Sequence, residues 1–161
     1  IKGAMHYYEE ILYWLEQLYI SLPNEEDILD ELISVNESIG NVHLELGNLK
    51  EAMLYMEKCV YYTEVLYESQ SNEEHQERLM DAYETMRNGY LDYNMLTEAL
   101  KYGKKLVEMG QDYYKTNPSE ENAKLYIELL LGHYSCLSQL GNTEEAEEYA
   151  ALARRLQESL E

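Results

Sequence analysis

The chain has 161 residues, 32 acids against 12 bases, a formal charge of −20, two prolines and eight glycines. With no basic block to offset it, that charge repels phosphate backbones and anionic lipid surfaces, which excludes nucleic acid and membrane as partners. Abundant glutamate, leucine and tyrosine with so few helix breakers describe a nearly all-helical protein, long enough to bury a core as one domain or one short array.

The first predicted helix runs from Ile1 to Asn24. Tyr7, Tyr8, Ile11, Leu12, Trp14, Leu15, Leu18, Tyr19 and Ile20 cover most of its circumference, so it should be buried on more than one side. Tyr7, Tyr13 and Trp14 are therefore expected to meet another chain, an adjacent domain or repeat, or a bound partner, with a homo-oligomer as one outcome. Pro23 and Asn24 end the helix. The second, Glu25 to Leu46, carries Ile28, Leu32, Val35, Ile39, Val42 and Leu46 at helical spacing. The third, Leu49 to about Ser69, turns Leu49, Ala52, Met53, Met56, Cys59, Val60, Thr63 and Leu66 inward. After the break at Ser71-Asn72 come helices over roughly 72 to 93, 96 to 116, 119 to 140 and 143 to 160, with Asn117-Pro118-Ser119 as punctuation. Seven helices in up-and-down order result, joined by short turns. The last is one-sided, with Ala146, Tyr149, Ala150, Ala153, Leu156 and Leu160 inward and Glu144, Glu147, Glu148, Arg155 and Glu158 outward, as a terminal cap would be.

One stretch organises the rest. Leu46 to Tyr55 returns in altered form as Tyr93 to Tyr102 and as Leu140 to Tyr149, each with Glu-Ala-x-x-Tyr, and Glu51, Glu98 and Glu145 stand 47 residues apart (98 − 51 and 145 − 98). A fixed period of this size marks a repeat architecture in which each unit stacks on its neighbours. The stretch reads as a turn between helices. Gly47, Asn94 and Gly141 suit the left-handed residue that closes a helix. Asn48 and Asn142 then suit N-caps, with Glu51 and Glu145 at capping-box spacing, whereas Met95 makes the middle cap weaker. Ala52, Ala99 and Ala146 are small where the helices of one repeat press together.

Phenylalanine is absent and seventeen tyrosines take the aromatic positions, which places many rings at half-buried seams where the hydroxyl finds water or a partner. Cys59 and Cys136 are expected as buried free thiols in a reducing compartment. The apolar runs are far short of a membrane span and the N-terminus lacks a secretory pattern, so a cytoplasmic setting is expected.

Chemistry finds no footing. None of His6, His43, His75 or His133 has Glu three residues before it, which removes a carboxylate-bridged metal bundle. His43 is expected as a satisfied seam histidine, and Glu73-Glu74-His75-Gln76-Glu77 as a solvated helix start whose acids favour the dipole. Serine, cysteine and histidine never meet at nucleophile spacing, and no glycine-rich loop follows a strand. No catalytic residue, cofactor or metal is expected, and the chain is not read as an enzyme.

Ile39-Gly40 in the first helix, Gly47 at the turn, and Ala52, Met56 and Cys59 in the second helix resemble the tetratricopeptide repeat. The third copy retains Gly141, Ala146, Ala150 and Ala153 but has Tyr134 at the Gly40 position; the second has Arg87 there and Gly103 where a large residue is expected. The family unit is shorter than this period, so the helices are longer, as in the elongated repeats of kinesin light chains and bacterial sensor proteins. The opening helix resembles the second half of an earlier repeat, with Ile11, Leu15 and Leu18 in the small-large-small slots. The resemblance implies an all-α, short right-handed superhelical solenoid: an opening half repeat over 1–24, then repeats over 25–70, 71–117 and 118–161.

It also implies a protein-binding groove lined by the first helices. In phase with the family pattern its stripe is Glu37, Asn41 and Glu45, then Glu84, Asn88 and Asp92, then Leu131, Ser135 and Gln139. Asn41 and Asn88 resemble the asparagines with which family members hold a peptide backbone. The basic residues of the family's chaperone-tail clamp are missing, so the expected partner is a neutral or basic protein or peptide segment in an acidic groove. The other reading is a regulatory or peptide-sensing domain of a larger bacterial signalling protein.

Overall fold

The breaks read from glycine, asparagine and proline are where the helices end. The computed structural model describes residues 2–161, so Ile1 lies outside the described residues. In chain order come α1 Lys2–Ser21, α2 Glu26–Glu45, α3 Leu49–Ser69, α4 Glu73–Asp92, α5 Leu96–Thr116, α6 Glu120–Gln139 and α7 Thr143–Ser159. Among the described residues the protein is all-helical, with these seven helices and no strand.

The chain divides into two compact units, Ile1–Ala82 and Tyr83–Glu161. In the first, α1 packs on α2 and α2 on α3 around Leu12, Leu29, Leu32, Val35, Ile39 and Leu66. In the second, α5 packs on α6 and α6 on α7 around Leu106, Leu130 and Leu137, with Ala146, Ala150 and Ala153 giving α7 its close approach. Leu29 and Asn36 are fully buried although neither belongs to the apolar pattern predicted for α2. Asn36 is tolerated there because its amide donates to the Leu32 carbonyl at 2.8 Å. Leu46, expected inward, is exposed, because it is the C-cap of α2 and already turns out of the helix.

The recurring turn is the same hydrogen-bonded object three times. The amide of Gly47 donates to Leu44 O at 3.0 Å and that of Asn48 to His43 O at 2.8 Å. Asn94 to Leu91 O and Met95 to Tyr90 O repeat this, as do Gly141 to Ser138 O and Asn142 to Leu137 O. These paired bonds are the Schellman motif, and they demand a left-handed residue between the helices. Gly47, Asn94 and Gly141 supply it with φ of 75°, 56° and 82°. The next helix then starts from a main-chain acceptor, with Ala52, Ala99 and Ala146 donating to the carbonyls of Asn48, Met95 and Asn142, each at 3.0 Å. The expected side-chain caps do not form: Asn48 and Asn142 make no capping bond, and neither does Met95. The backbone at all three sits near φ −90° and ψ +65°, outside the extended cap geometry, so Met95 is no weaker than its counterparts.

Side-chain caps occur instead at the other joints. Asn72 Oδ1 accepts from the His75 amide at 2.8 Å, and Ser119 Oγ from the Asn122 amide at 3.0 Å. At the same two joints the His75 ring donates through Nδ1 to Gln70 O at 2.8 Å, and Asn122 Nδ2 donates to Asn117 O at 2.7 Å. His75 and Asn122 are again one period apart, so a side-chain clasp repeats with the fold. This corrects the reading of Glu73 to Glu77 as a solvated start. His75 is only 2% exposed and Gln76 is buried, because the ring must reach back to a carbonyl at the end of α3.

The departures at Arg87 and Gly103 are one event. In the first repeat Gly40 faces Met56, whose Cε lies 2.8 Å from where a Cβ on Gly40 would stand. In the second the sizes are exchanged: Arg87 takes the glycine slot, Gly103 the methionine slot, and Arg87 Cδ lies 3.5 Å from the missing Cβ of Gly103. The exchange conserves volume across the helix pair. In the third repeat the same two slots hold Tyr134 and Ala150.

Candidate protein-binding site

Three turns of α2 present Glu37, Asn41 and Glu45, all exposed, while Val35, Asn36, Ile39 and Gly40 on the other side of the helix are buried. The spacing of four leaves a continuous polar edge once the apolar stripe is committed to α1 and α3. The charge is felt inside: burial, then the Glu37 carboxylate, pushes the Cys59 thiol up to about 12. Cys59 is half-buried, short of the full burial expected, and donates to Ile33 O at 3.3 Å; Cys136 is buried, and both are free thiols.

In the second unit α4 exposes Glu84, Asn88 and Asp92, and α6 exposes Leu131, Ser135 and Gln139. Arg87 links the two helices. Its Nη1 lies 3.0 Å from the position a Cβ on Gly132 would take, so the missing side chain leaves room for the guanidinium against α6. Its Nε donates to Asn88 Oδ1 at 3.2 Å. Asn88 therefore offers its amide donors outward while its oxygen is engaged, whereas Asn41 carries no such neighbour. Arg87 was missed as a contributor. Its place in a glycine slot was visible, but only the Gly132 gap shows where the long side chain goes.

The histidines divide. His43 stacks on Tyr55 at 5.6 Å with 16° between planes, at the seam as expected, but its buried Nδ1 has no hydrogen-bond partner, so it is not the satisfied histidine foreseen. His133 is buried edge-on against Tyr149, with ring centroids 4.6 Å apart, and neither ring nitrogen has a partner. Burial holds its pKa below the usual value, opposed by Glu145 and assisted by Arg87 and Lys104. Among the described residues no group of three histidine, cysteine, aspartate or glutamate side chains is placed to hold a metal.

On α1, Tyr7, Tyr13 and Trp14 are all exposed, Trp14 to 66%, with Tyr13 and Trp14 in edge contact at 5.5 Å. Leu12 is the one buried residue of this helix, flanked by half-buried Met5, Tyr8, Ile11, Leu15 and Tyr19. No helix among the described residues is long and apolar enough to cross a membrane.

Residues 33–65 match the tetratricopeptide repeat family. The matched segment is centred on the Gly47 turn and leaves out the first seven residues of α2 and the last four of α3, so the added length sits at the far ends of the hairpin. No curated protein matches the chain. Tetratricopeptide repeats generally mediate protein–protein interaction and are typically non-catalytic scaffolds. The match over residues 33–65, set in an all-helical chain whose turn recurs with one geometry, supports assigning the protein to the tetratricopeptide repeat family.

Proposed function

We propose that this protein binds a neutral or basic segment of another protein along the outward edges of its first helices. Glu37, Asn41 and Glu45 form that edge in the first unit, and Glu84, Asn88 and Asp92, with Ser135 and Gln139, in the second. The observation that carries the reading is the pair Asn41 and Asn88, one period apart, exposed and each set one turn from carboxylates on both sides. An amide donor can take a peptide carbonyl while flanking carboxylates select against acidic sequences. The free thiols Cys59 and Cys136 support a cytoplasmic setting.

The test uses labelled peptide pools of basic, neutral and acidic composition, read by fluorescence anisotropy. Basic and neutral pools should bind and acidic ones should not, with binding weakened by salt. Asn41→Ala with Asn88→Ala should weaken it further without lowering the melting temperature. Binding unchanged by both treatments would remove these edges as the site.

A further inference from the structure

Around Gly103 three helices of the second unit share one space. A Cβ there would stand 2.9 Å from His133 Nδ1 and 3.5 Å from Arg87 Cδ, so the arginine stem and the imidazole ring fill the volume that a side chain on α5 leaves empty. Beyond the stem, the guanidinium lies against Gly132, the residue before His133, and Arg87 Nε donates to Asn88 Oδ1 at 3.2 Å. One arginine therefore connects the surroundings of a buried ring to an exposed amide of the proposed binding edge.

The ring end tolerates little change. His133 is 1% exposed, and neither ring nitrogen has a hydrogen-bond partner among the described residues, so no acceptor stands ready for an added proton. The charged groups that act on it come from the three neighbouring helices: Arg87 on α4, Lys104 on α5 and Glu145 on α7. Lys104 and Glu145 are exposed and screened by solvent, whereas Arg87 is half-buried and has the same sign as a protonated ring. Burial pushes up the Cys136 thiol on α6 itself and the Tyr149 hydroxyl on α7, so both stay neutral where a histidine titrates. Arg87 is also loosely tied. Arg78 and Arg154 are each held by a carboxylate, Asp30 and Glu147, but Arg87 is held by the neutral Asn88 amide.

We propose that Arg87 is a positioning residue for Asn88 and that a proton on His133 releases it: the charged ring turns the guanidinium out of the gaps at Gly103 and Gly132, the Nε bond to Asn88 breaks, and the Asn88 amide is freed to rotate. While held, Asn88 presents its donors outward; once released, its oxygen is available to a peptide N–H as well. Protons thus change what the edge of the second unit can read. The consequence for binding rests on the edge proposed above, but the coupling of His133, Arg87 and Asn88 exists without any ligand.

The experiment follows the whole chain by NMR from neutral to mildly acidic pH, reading the His133 ring carbons, the Arg87 Nε–H and the Asn88 side-chain amide, with circular dichroism as the check on folding. The Arg87 and Asn88 signals should move with the His133 midpoint while helicity holds. His133→Met, which puts in this slot the residue its counterpart Met86 already is, should abolish both movements. Arg87→Met should give the Asn88 amide its acid-state shift already at neutral pH and, by reciprocity, raise the His133 midpoint, since a like charge has gone. Three outcomes would overturn the proposal: Arg87 and Asn88 signals that ignore the His133 titration, a His133 midpoint unchanged by Arg87→Met, or a ring that gains its proton only as helicity is lost. If the signals couple but basic peptides bind at neither pH, the switch stands and the binding edge does not.

Discussion

Ala99 shows how little freedom a single position has in this fold. It is fully buried in the first turn of α5, and Ala99→Phe should cost about 1 to 3 kcal/mol in a thermal or denaturant melt, since a filled site admits no added ring. The capping residues should separate into two groups under the same assay. Asn48→Ala and Asn142→Ala remove no capping bond and should change stability little, whereas Ser119→Ala removes an acceptor from the Asn122 amide and should cost about 1 kcal/mol. Equal losses at all three would restore the side-chain caps. His133 should make stability depend on pH. Its pKa is lowered on folding, so the folded state favours the neutral ring. That contribution is intact above the unfolded value of about 6.5 and is lost as pH falls below it. Methionine fills the equivalent slot at position 86, so His133→Met should flatten the difference in melting temperature between neutral and mildly acidic buffer. An unchanged difference would acquit the ring.

Whole helices depend on pairs of such positions. Gly103→Met alone should destabilise, because the new side chain meets the Arg87 stem and His133 Nδ1, the latter 2.9 Å from the added Cβ. Combined with Arg87→Gly it should cost less than the sum of the single changes by about 0.5 to 3 kcal/mol, a coupling that a double-mutant cycle measures. Additive effects would mean the two slots do not share space. This exchange was hidden in the sequence, where Arg87 and Gly103 read as two separate departures from a pattern. The helix ends were plain, falling within a few residues of the expected breaks, because Gly47, Asn94 and Gly141 are each required by backbone conformation. The clasp at His75 was not legible, since its acceptor is a main-chain carbonyl and its counterpart is an asparagine of different chemistry. The exposed positions of Asn41 and Asn88 were reached by phasing the period onto the family pattern, not from spacing alone. The engagement of Asn88 by Arg87 was not legible, because it depends on the gap left by Gly132.

At the scale of the molecule the formal charge of −20 sets the background for every binding and stability measurement. Self-repulsion of that size should make the melting temperature rise with added salt, opposite in direction to the effect of salt on capture of a basic segment. The three Schellman turns carry a different implication. Their hydrogen bonds run from main chain to main chain, and the residue after the left-handed one is asparagine, methionine and asparagine in turn. A joint that asks so little of its side chains is an interchangeable part: a period of sequence can be copied into the gene or deleted from it and both flanking hairpins still close on their own carbonyls. Such a chain can change its number of repeats by recombination in a single step, with the count of hairpins as the quantity that selection then adjusts.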